Sequence, residues 1–175
     1  MFKIFDRSYD LALKAFVQWG IFVGVLAGCV ELARSRGALS YIYEVDSTKL
    51  SIVIFAIFIW KTLSCGAGLY QSSDMTATRA KRIAEKVSSG WLWSDLVVSI
   101  GMVGTVLGFI VMLSSFENID FSNPQSIQEM ITKLSYGMST ALTTTLVGLI
   151  SSVLLKIQYH KLEEVITKHE KRLQL

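Results

Sequence analysis

Four stretches of the sequence are long enough and apolar enough to cross a lipid bilayer. Each approaches the roughly 20 apolar residues that a helix needs to span the hydrocarbon core. None shows the charged outer face of a helix packed on a soluble core. The stretches run from about Ala15 to Ala33, from Leu50 to Leu69, from Leu92 to Phe116 and from Gly137 to Leu155. We therefore predict an all-α membrane protein with four transmembrane helices.

The composition of the chain fits the same class. Hydrophobic residues make up 51% of the 175 residues and charged residues only 18%, whereas soluble domains average about 25% charged. The single proline, Pro124, lies outside all four stretches, which are therefore free of the residue that removes a backbone donor. The net charge of +3 is small and no basic patch is interleaved with aromatic residues, so we expect no nucleic-acid partner.

The second stretch is interrupted by Lys61, which follows Trp60. In one interpretation, the Lys61 stem bends so that its ammonium reaches the cytosolic surface. In the other, the span begins earlier and takes in Glu44, Asp46 and Lys49. We prefer the first, because burying three charges costs more than bending one side chain toward water.

The distribution of Lys and Arg predicts the orientation. Segments 1–14, 71–92 and 156–175 together carry twelve of these residues, and the two loops on the opposite side carry four. Cytosolic loops are enriched in Lys and Arg. With four spans, both termini should therefore lie in the cytosol.

An alternative for the first stretch is a cleaved signal. Leu26-Ala27-Gly28-Cys29 follows an apolar run and is similar to a lipoprotein signal box, which would be cut before Cys29. The segment ahead of it is long and contains Asp6 and Asp10, which is unusual for a positively charged leader. We therefore treat the first stretch as a retained span.

Segments outside the stretches also have helical character. We predict an amphipathic helix around 76–87, a turn at Asn123-Pro124 and a short helix over 125–135 that leads into the fourth span. The last span should continue unbroken into the cytosol, because residues 155–173 repeat at alternating four- and three-residue steps. This tail is either a solvated helix or one that bundles with copies of itself. The repeating positions are Leu155, Tyr159, Leu162, Ile166, His169 and Leu173.

The third and fourth stretches are threaded with small and hydroxyl residues. Small residues let helix backbones approach closely in lipid, but five hydroxyls within positions 139–145 exceed what packing requires. Packing alone and a water-lined path between helices are both open at this point. The residues that we predict to face an ion pathway or a partner are Thr105, Thr140, Thr144 and Thr145. The residues that we predict to pack helices are Gly101, Gly104, Gly108, Gly137 and Gly148.

Carboxylates are missing from the middle of every stretch, although Glu31 and Asp95 lie close to span ends. A proton or cation pathway normally needs an ionisable relay, so a partner would have to supply one. The sequence shows no nucleophile–base pair, metal-ligand cluster or phosphate loop. We therefore expect no enzyme and no metal or cofactor site.

Two motifs are similar to the signatures of the MotA/TolQ/ExbB proton-channel family. They are residues 101–109 (GMVGTVLGF) and residues 136–149 (YGMSTALTTTLVGL), separated by a short extracytoplasmic loop as in that family. The resemblance implies a homopentameric ring in the bacterial inner membrane. In that family the ring surrounds a dimer of single-span partners of the MotB, TolR or ExbD kind, and the partner carries a membrane aspartate.

The resemblance also implies roles for individual residues. Thr105 and Thr145 match the channel threonines of the family, and Gly104, Gly108 and Gly148 match its packing glycines. On this basis residues 92–175 form the channel core and a cytosolic helical tail. Residues 1–91 form a peripheral two-helix membrane part with a short cytosolic loop.

The chain also departs from the family pattern. Thr140 stands where transporter-energising members carry a glutamate, and Ser151 and Ser152 stand where many members have a proline. Segment 71–92 is far shorter than the domain by which flagellar stators engage a rotor. The hydroxyl-rich last span and the four-span plan are closer to the branch found in bacterial anti-phage motor systems.

These observations lead to two functional hypotheses. The first is an ion-driven motor or channel subunit, with the proton as the expected ion, that works in a ring around a partner. The alternative is a non-conducting structural membrane scaffold whose small residues only pack helices.

Overall fold

The computed structural model describes residues 2–37, 40, 42, 46, 49–71, 77–114, 116 and 123–173. In this part of the chain four helices are found: α1 (Phe2–Ser35), α2 (Leu50–Gln71), α3 (Ala77–Ser114) and α4 (Pro124–Leu173). Each contains a segment long and apolar enough to cross a membrane. The prediction of an all-helical, multi-pass membrane protein is therefore confirmed.

Helices α3 and α4 are much longer than the spans predicted for them. They contain 38 and 50 residues, or about 57 and 75 Å at 1.5 Å per residue, against a hydrocarbon core of about 30 Å. The helix predicted over 125–135 leads without a break into the fourth span, as expected, and the described part of the helix predicted at 76–87 is likewise continuous with the third span. The expectation that the last helix runs on past its apolar part is confirmed as far as Leu173.

Helix α4 begins at the predicted Asn123-Pro124 turn. Pro124 occupies the first helical position, where a missing N–H is tolerated. Asn123 Oδ1 accepts a hydrogen bond from the Gln125 backbone N–H at 3.0 Å, which is an N-cap. The two residues predicted to turn the chain therefore also start the helix.

The core of the chain is a bundle of α2, α3 and α4. Helices α3 and α4 run antiparallel and share the most extensive contact, and α2 packs on both. Helix α2 contributes Ile54, Phe58, Cys65 and Leu69 to the buried core. It is therefore not equivalent to α1, with which it was grouped in the peripheral two-helix part of residues 1–91.

The periodic face of the C-terminal segment is covered by the chain itself. Leu155, Tyr159, Leu162 and Ile166 are all buried. The Leu162 side chain lies 3.1 Å from the place where a Cβ would stand on Gly68 of α2. These four positions of the repeat therefore pack against other helices of the same chain. This is a third arrangement, different from both the solvated tail and the self-bundling tail that were predicted.

Lys61 is held between α2 and α3 and does not extend to the surface. The residue is 6% exposed, and its ammonium donates a hydrogen bond to Ser89 Oγ at 3.0 Å. The same ammonium lies 5.0 and 4.9 Å from the ring centroids of Trp60 and Trp93. The predicted extension of Lys61 to the cytosolic surface is wrong, because two indole faces and a hydroxyl replace water around the charge.

Helix α2 also does not begin earlier than predicted. It starts at Leu50, after Lys49, whose φ of 54° lies in the left-handed region. Asp46 is buried, and its Oδ2 accepts a hydrogen bond from the Ser51 backbone N–H at 2.7 Å. Asp46 therefore satisfies a donor in the first turn of the helix, where carboxylates are favourable.

Helix α1 packs on the bundle through aromatic side chains near its middle. Trp19 lies over Gly66 of α2, where a Cβ would stand 2.4 Å from the indole ring. Phe16 stacks on Trp19 with a centroid distance of 5.8 Å and meets Tyr70 edge-on at 6.0 Å. None of the residues in the most apolar part of α1 is buried within the chain, so this part is left to lipid or to another chain.

Candidate ion pathway and helix seam

Glycines bring the backbones of α3 and α4 into contact at two positions. We call the line along which these two helices meet the seam. A Cβ on Gly108 would lie 2.8 Å from the Gly137 carbonyl oxygen, and one on Gly137 would lie 2.9 Å from that of Gly108. Further along the seam, a Cβ on Gly101 would lie 3.3 Å from the Gly148 Cα. Side chains larger than hydrogen would separate the helices at these positions.

Between these contacts, Gly104 accommodates the side chain of Thr144. A Cβ on Gly104 would lie 2.5 Å from Thr144 Oγ1. Thr144 is fully buried, and its Oγ1 lies 3.1 Å from the carbonyl oxygens of both Thr140 and Ala141. Its hydroxyl is therefore satisfied by the preceding turn of its own helix.

The hydroxyls of Thr105 and Thr145 are hydrogen-bonded to each other across the seam. Thr145 Oγ1 also lies 3.2 Å from the Gly101 carbonyl oxygen and 3.1 Å from that of Ala141, and Thr105 Oγ1 lies 3.3 Å from that of Gly101. Each hydroxyl has one proton and can also accept, so more acceptors are in reach than protons are available. Both residues are only half-buried, so a molecule or chain that covers the seam can contact these two threonines.

The polar end of the seam lies beyond Gly101 and Gly148. Lys156 Nζ is 2.9 Å from Asp95 Oδ1, and Trp91 Nε1 donates to Glu163 Oε2 at 3.3 Å. Sequence reasoning noted Asp95 near a span end but missed both pairs. Extending the antiparallel register outward from the two glycines would have placed Asp95 opposite Lys156.

Along the rest of the seam, the two helices contain no acidic residue. Residues 96–116 and 130–162 lack Asp and Glu altogether. The seam can therefore donate and accept hydrogen bonds, but it cannot hold an ionisable carboxylate that would bind and release a cation.

A model of the MotA/TolQ/ExbB proton channel family matches residues 73–175, more than half of the chain. The chain belongs to this family. The matched region contains all of α3 and α4, so the seam between them lies entirely within it. Searches among curated proteins and among solved structures gave no match.

The MotA/TolQ/ExbB family is one of proton channels, so we compare the four threonines as candidate pathway residues. The structure brings the half-buried Thr105 and Thr145 together through their hydroxyls, and it buries Thr140 and Thr144 within the chain. The four residues stay predictions as pathway residues. The burial of Thr140 and Thr144 favours packing within one chain, so Thr105 and Thr145 are the stronger candidates.

Proposed function

We propose that this chain is the ring-forming subunit of an ion-driven motor or channel in the bacterial inner membrane, with the proton as the ion. Its family is one of proton channels. The observation that carries the proposal is the hydrogen-bonded pair of Thr105 and Thr145 in an acid-free seam. A hydroxyl pair can pass hydrogen bonds to water or to a carboxylate that approaches it.

The ring is proposed to be a homopentamer around a dimer of single-span partner helices. Apolar side chains on the outer faces of α3 and α4 support an assembly, because they remain uncovered in a single chain; they include Met102, Val106, Leu142, Leu146 and Ile150. The absence of a carboxylate from the seam supports a partner that supplies an aspartate.

The proposed orientation has both termini in the cytosol. The Lys and Arg distribution carries this orientation. Aromatic residues support the position of the boundary, because Trp93 lies two residues before Asp95, the partner of Lys156, and its ring meets that of Trp60 edge-on. Tryptophan and lysine are typical of the membrane interface.

A double substitution tests the role of the hydroxyl pair. Thr105→Val together with Thr145→Val keeps the side-chain shape and removes both hydroxyls. The double variant and the wild type would be expressed with the single-span partner, and proton uptake into inverted membrane vesicles would be followed with a pH-sensitive dye. We expect uptake to fall at least about tenfold, since general proton transfer by a positioned group contributes on this scale or more.

Thr132→Val provides the matched control. Thr132 is exposed on the same helix and donates to the Gln128 carbonyl oxygen at 3.0 Å, away from the seam. Proton uptake by this variant should equal that of the wild type. If the double variant assembles normally and conducts at the wild-type rate, the hydroxyl pair is not the pathway.

The non-conducting scaffold is the second candidate. The glycine contacts and the buried Thr140 and Thr144 favour it, because all of them are explained by packing. An image of the purified assembly separates the two functions. A central space that admits two further helices supports the motor, and a closed bundle without such a space supports the scaffold.

A further inference from the structure

A cavity of about 490 Å³ lies between the middle of α1 and the last third of α4. Helix α1 lines it with residues that include Lys14 and Trp19, and α4 lines it with residues that include Gln158, Lys161 and Lys168. None of the α3 residues whose side chains are described lines this cavity. It is therefore separate from the α3–α4 seam.

The lining of the cavity is positively charged. Among the described residues that line it, three are lysines and one, Glu164, is acidic, so this part of the lining has a net charge of +2. The Nζ atoms of Lys161 and Lys168 lie 3.4 and 2.5 Å from the oxygens of Glu164. One carboxylate thus holds two ammonium groups at the cavity wall without neutralising both of them.

The lining residues also include polar atoms that are buried and unpaired, one on each of the two helices. Gln158 is 3% exposed, and its Nε2 donates to Thr62 Oγ1 at 3.3 Å. Among the described residues, Gln158 Oε1 and Trp19 Nε1 have no hydrogen-bond partner. Native structures rarely leave such groups unsatisfied, so an occupant of the cavity that both donates and accepts hydrogen bonds would be favoured.

The cavity lies where a membrane lipid would place its headgroup. Lys14 directly precedes the first apolar stretch, and Gln158 lies three residues beyond Leu155, where the fourth stretch ends. In the proposed orientation both positions face the cytosolic leaflet. Val17, Ile21 and Val25 continue along α1 as exposed apolar side chains, which suit an acyl chain.

We propose that this cavity binds the headgroup of an anionic phospholipid that carries a free hydroxyl, as phosphatidylglycerol does. The phosphate accepts hydrogen bonds from Lys14 and Lys161, and the headgroup hydroxyl donates to Gln158 Oε1. Basic pockets between helices on the cytosolic side are suited to such headgroups. The site lies outside the proposed ion pathway and depends only on the proposed orientation.

Native mass spectrometry of the purified full-length chain tests the site. The protein would be equilibrated in detergent with equal amounts of phosphatidylglycerol and phosphatidylcholine. The wild type should retain phosphatidylglycerol preferentially. Lys14→Gln with Lys161→Gln should lower this preference by about 10- to 30-fold, because each cation near an anionic lipid contributes about fivefold. The readout requires no ion flow, so its outcome is independent of the proposed function.

Lys81→Gln with Arg82→Gln is the matched control. Both residues are exposed on α3, outside the cavity but on the same proposed side of the membrane. This variant should keep the wild-type preference. Equal retention of the two lipids by the wild type, or equal losses in the two double variants, would overturn the proposal and would leave the cavity to a neighbouring chain or to general surface charge.

Two further measurements separate the parts of the headgroup. Gln158→Met should reduce the preference for phosphatidylglycerol over phosphatidic acid, which has no headgroup hydroxyl, and an unchanged ratio would contradict the contact with Gln158. Glycerol phosphate at millimolar concentration should not displace the lipid. Displacement would show that the site takes a soluble phosphate ester, and the assignment to a membrane lipid would then be wrong.

Discussion

The ring of Tyr159 lies directly against Gly90, so that a Cβ on Gly90 would stand 2.2 Å from a ring carbon. Tyr159 is 1% exposed, and its Oη donates to the Lys61 carbonyl oxygen at 3.0 Å. One aromatic side chain of α4 therefore contacts both α2 and α3. The absence of a side chain at position 90 lets the three helices meet around this ring.

Gly90→Ala should destabilise the protein for this reason. The added methyl group has to displace a buried ring, and overpacking of this kind costs about 1–3 kcal/mol. The midpoint of thermal unfolding in detergent is the measurement. Gly28→Ala is the control, because a Cβ at Gly28 meets nothing within 4 Å. Equal midpoints for the two variants would contradict the proposed fit.

The glycines of the seam should differ in how far their substitutions can be rescued. The three atoms nearest to a Cβ on Gly104 all belong to the Thr144 side chain, whereas those nearest to one on Gly108 include backbone atoms of Ala141 and Gly137 as well as the Ala141 Cβ. Thr144→Ala should therefore recover part of the assembly lost in Gly104→Ala, because it removes the closest atom. Ala141→Gly should not rescue Gly108→Ala. Recovery of the oligomer on a native gel distinguishes the cases, and equal rescue would argue against the backbone contact.

Lys61 and Trp93 should be energetically coupled. Trp93→Ala leaves a buried ammonium with fewer partners, whereas Lys61→Met keeps the stem and removes the charge. A cation over an aromatic face contributes about 0.5–2 kcal/mol, so the double variant should be more stable than the sum of the single effects by about this amount. Thermal unfolding of the four proteins measures the coupling. A coupling of zero would mean that the indole does not stabilise the charge.

Asp95 and Lys156 offer a test of the register between α3 and α4. Their side chains are 66% and 40% exposed, so the pair should contribute only about 0–1 kcal/mol. Asp95→Lys should lower stability through repulsion from Lys156. The exchange of both residues, Asp95→Lys with Lys156→Asp, should restore it. Failure of the exchange, with each single variant folded, would indicate that the two side chains do not face each other.

Much of the fold was predictable because lipid imposes a simple rule on sequence. A membrane span must be apolar over about 20 residues, and the four stretches were recognised on that basis alone. Gly101 and Gly108 were identified as packing residues because close contact in lipid requires small side chains. These inferences concern the properties of single helices, which a sequence displays directly.

The identity of the neighbouring helix was harder to predict. The repeat through Leu155, Tyr159 and Leu162 revealed a buried face, but periodicity does not say which helix covers it. Lys61 was expected to reach water because one of the two indole rings beside it, that of Trp93, belongs to another helix. The sequence of α2 does not reveal that neighbour. The cavity beside Lys14 and Lys161 escaped notice for the same reason, since its two walls are separated by more than a hundred residues.

The length of α4 has a mechanical consequence. The helix is continuous from Pro124 to Leu173, and α2 and α3 brace its far part through buried side chains. Leu173 lies about 42 Å along the helix from Thr145, so a tilt of about 5° around Thr145 moves that end by about 4 Å. A small adjustment around Thr145 would therefore arrive at the opposite end as a displacement larger than the diameter of a water molecule, with no hinge in the described part of the rod to absorb it.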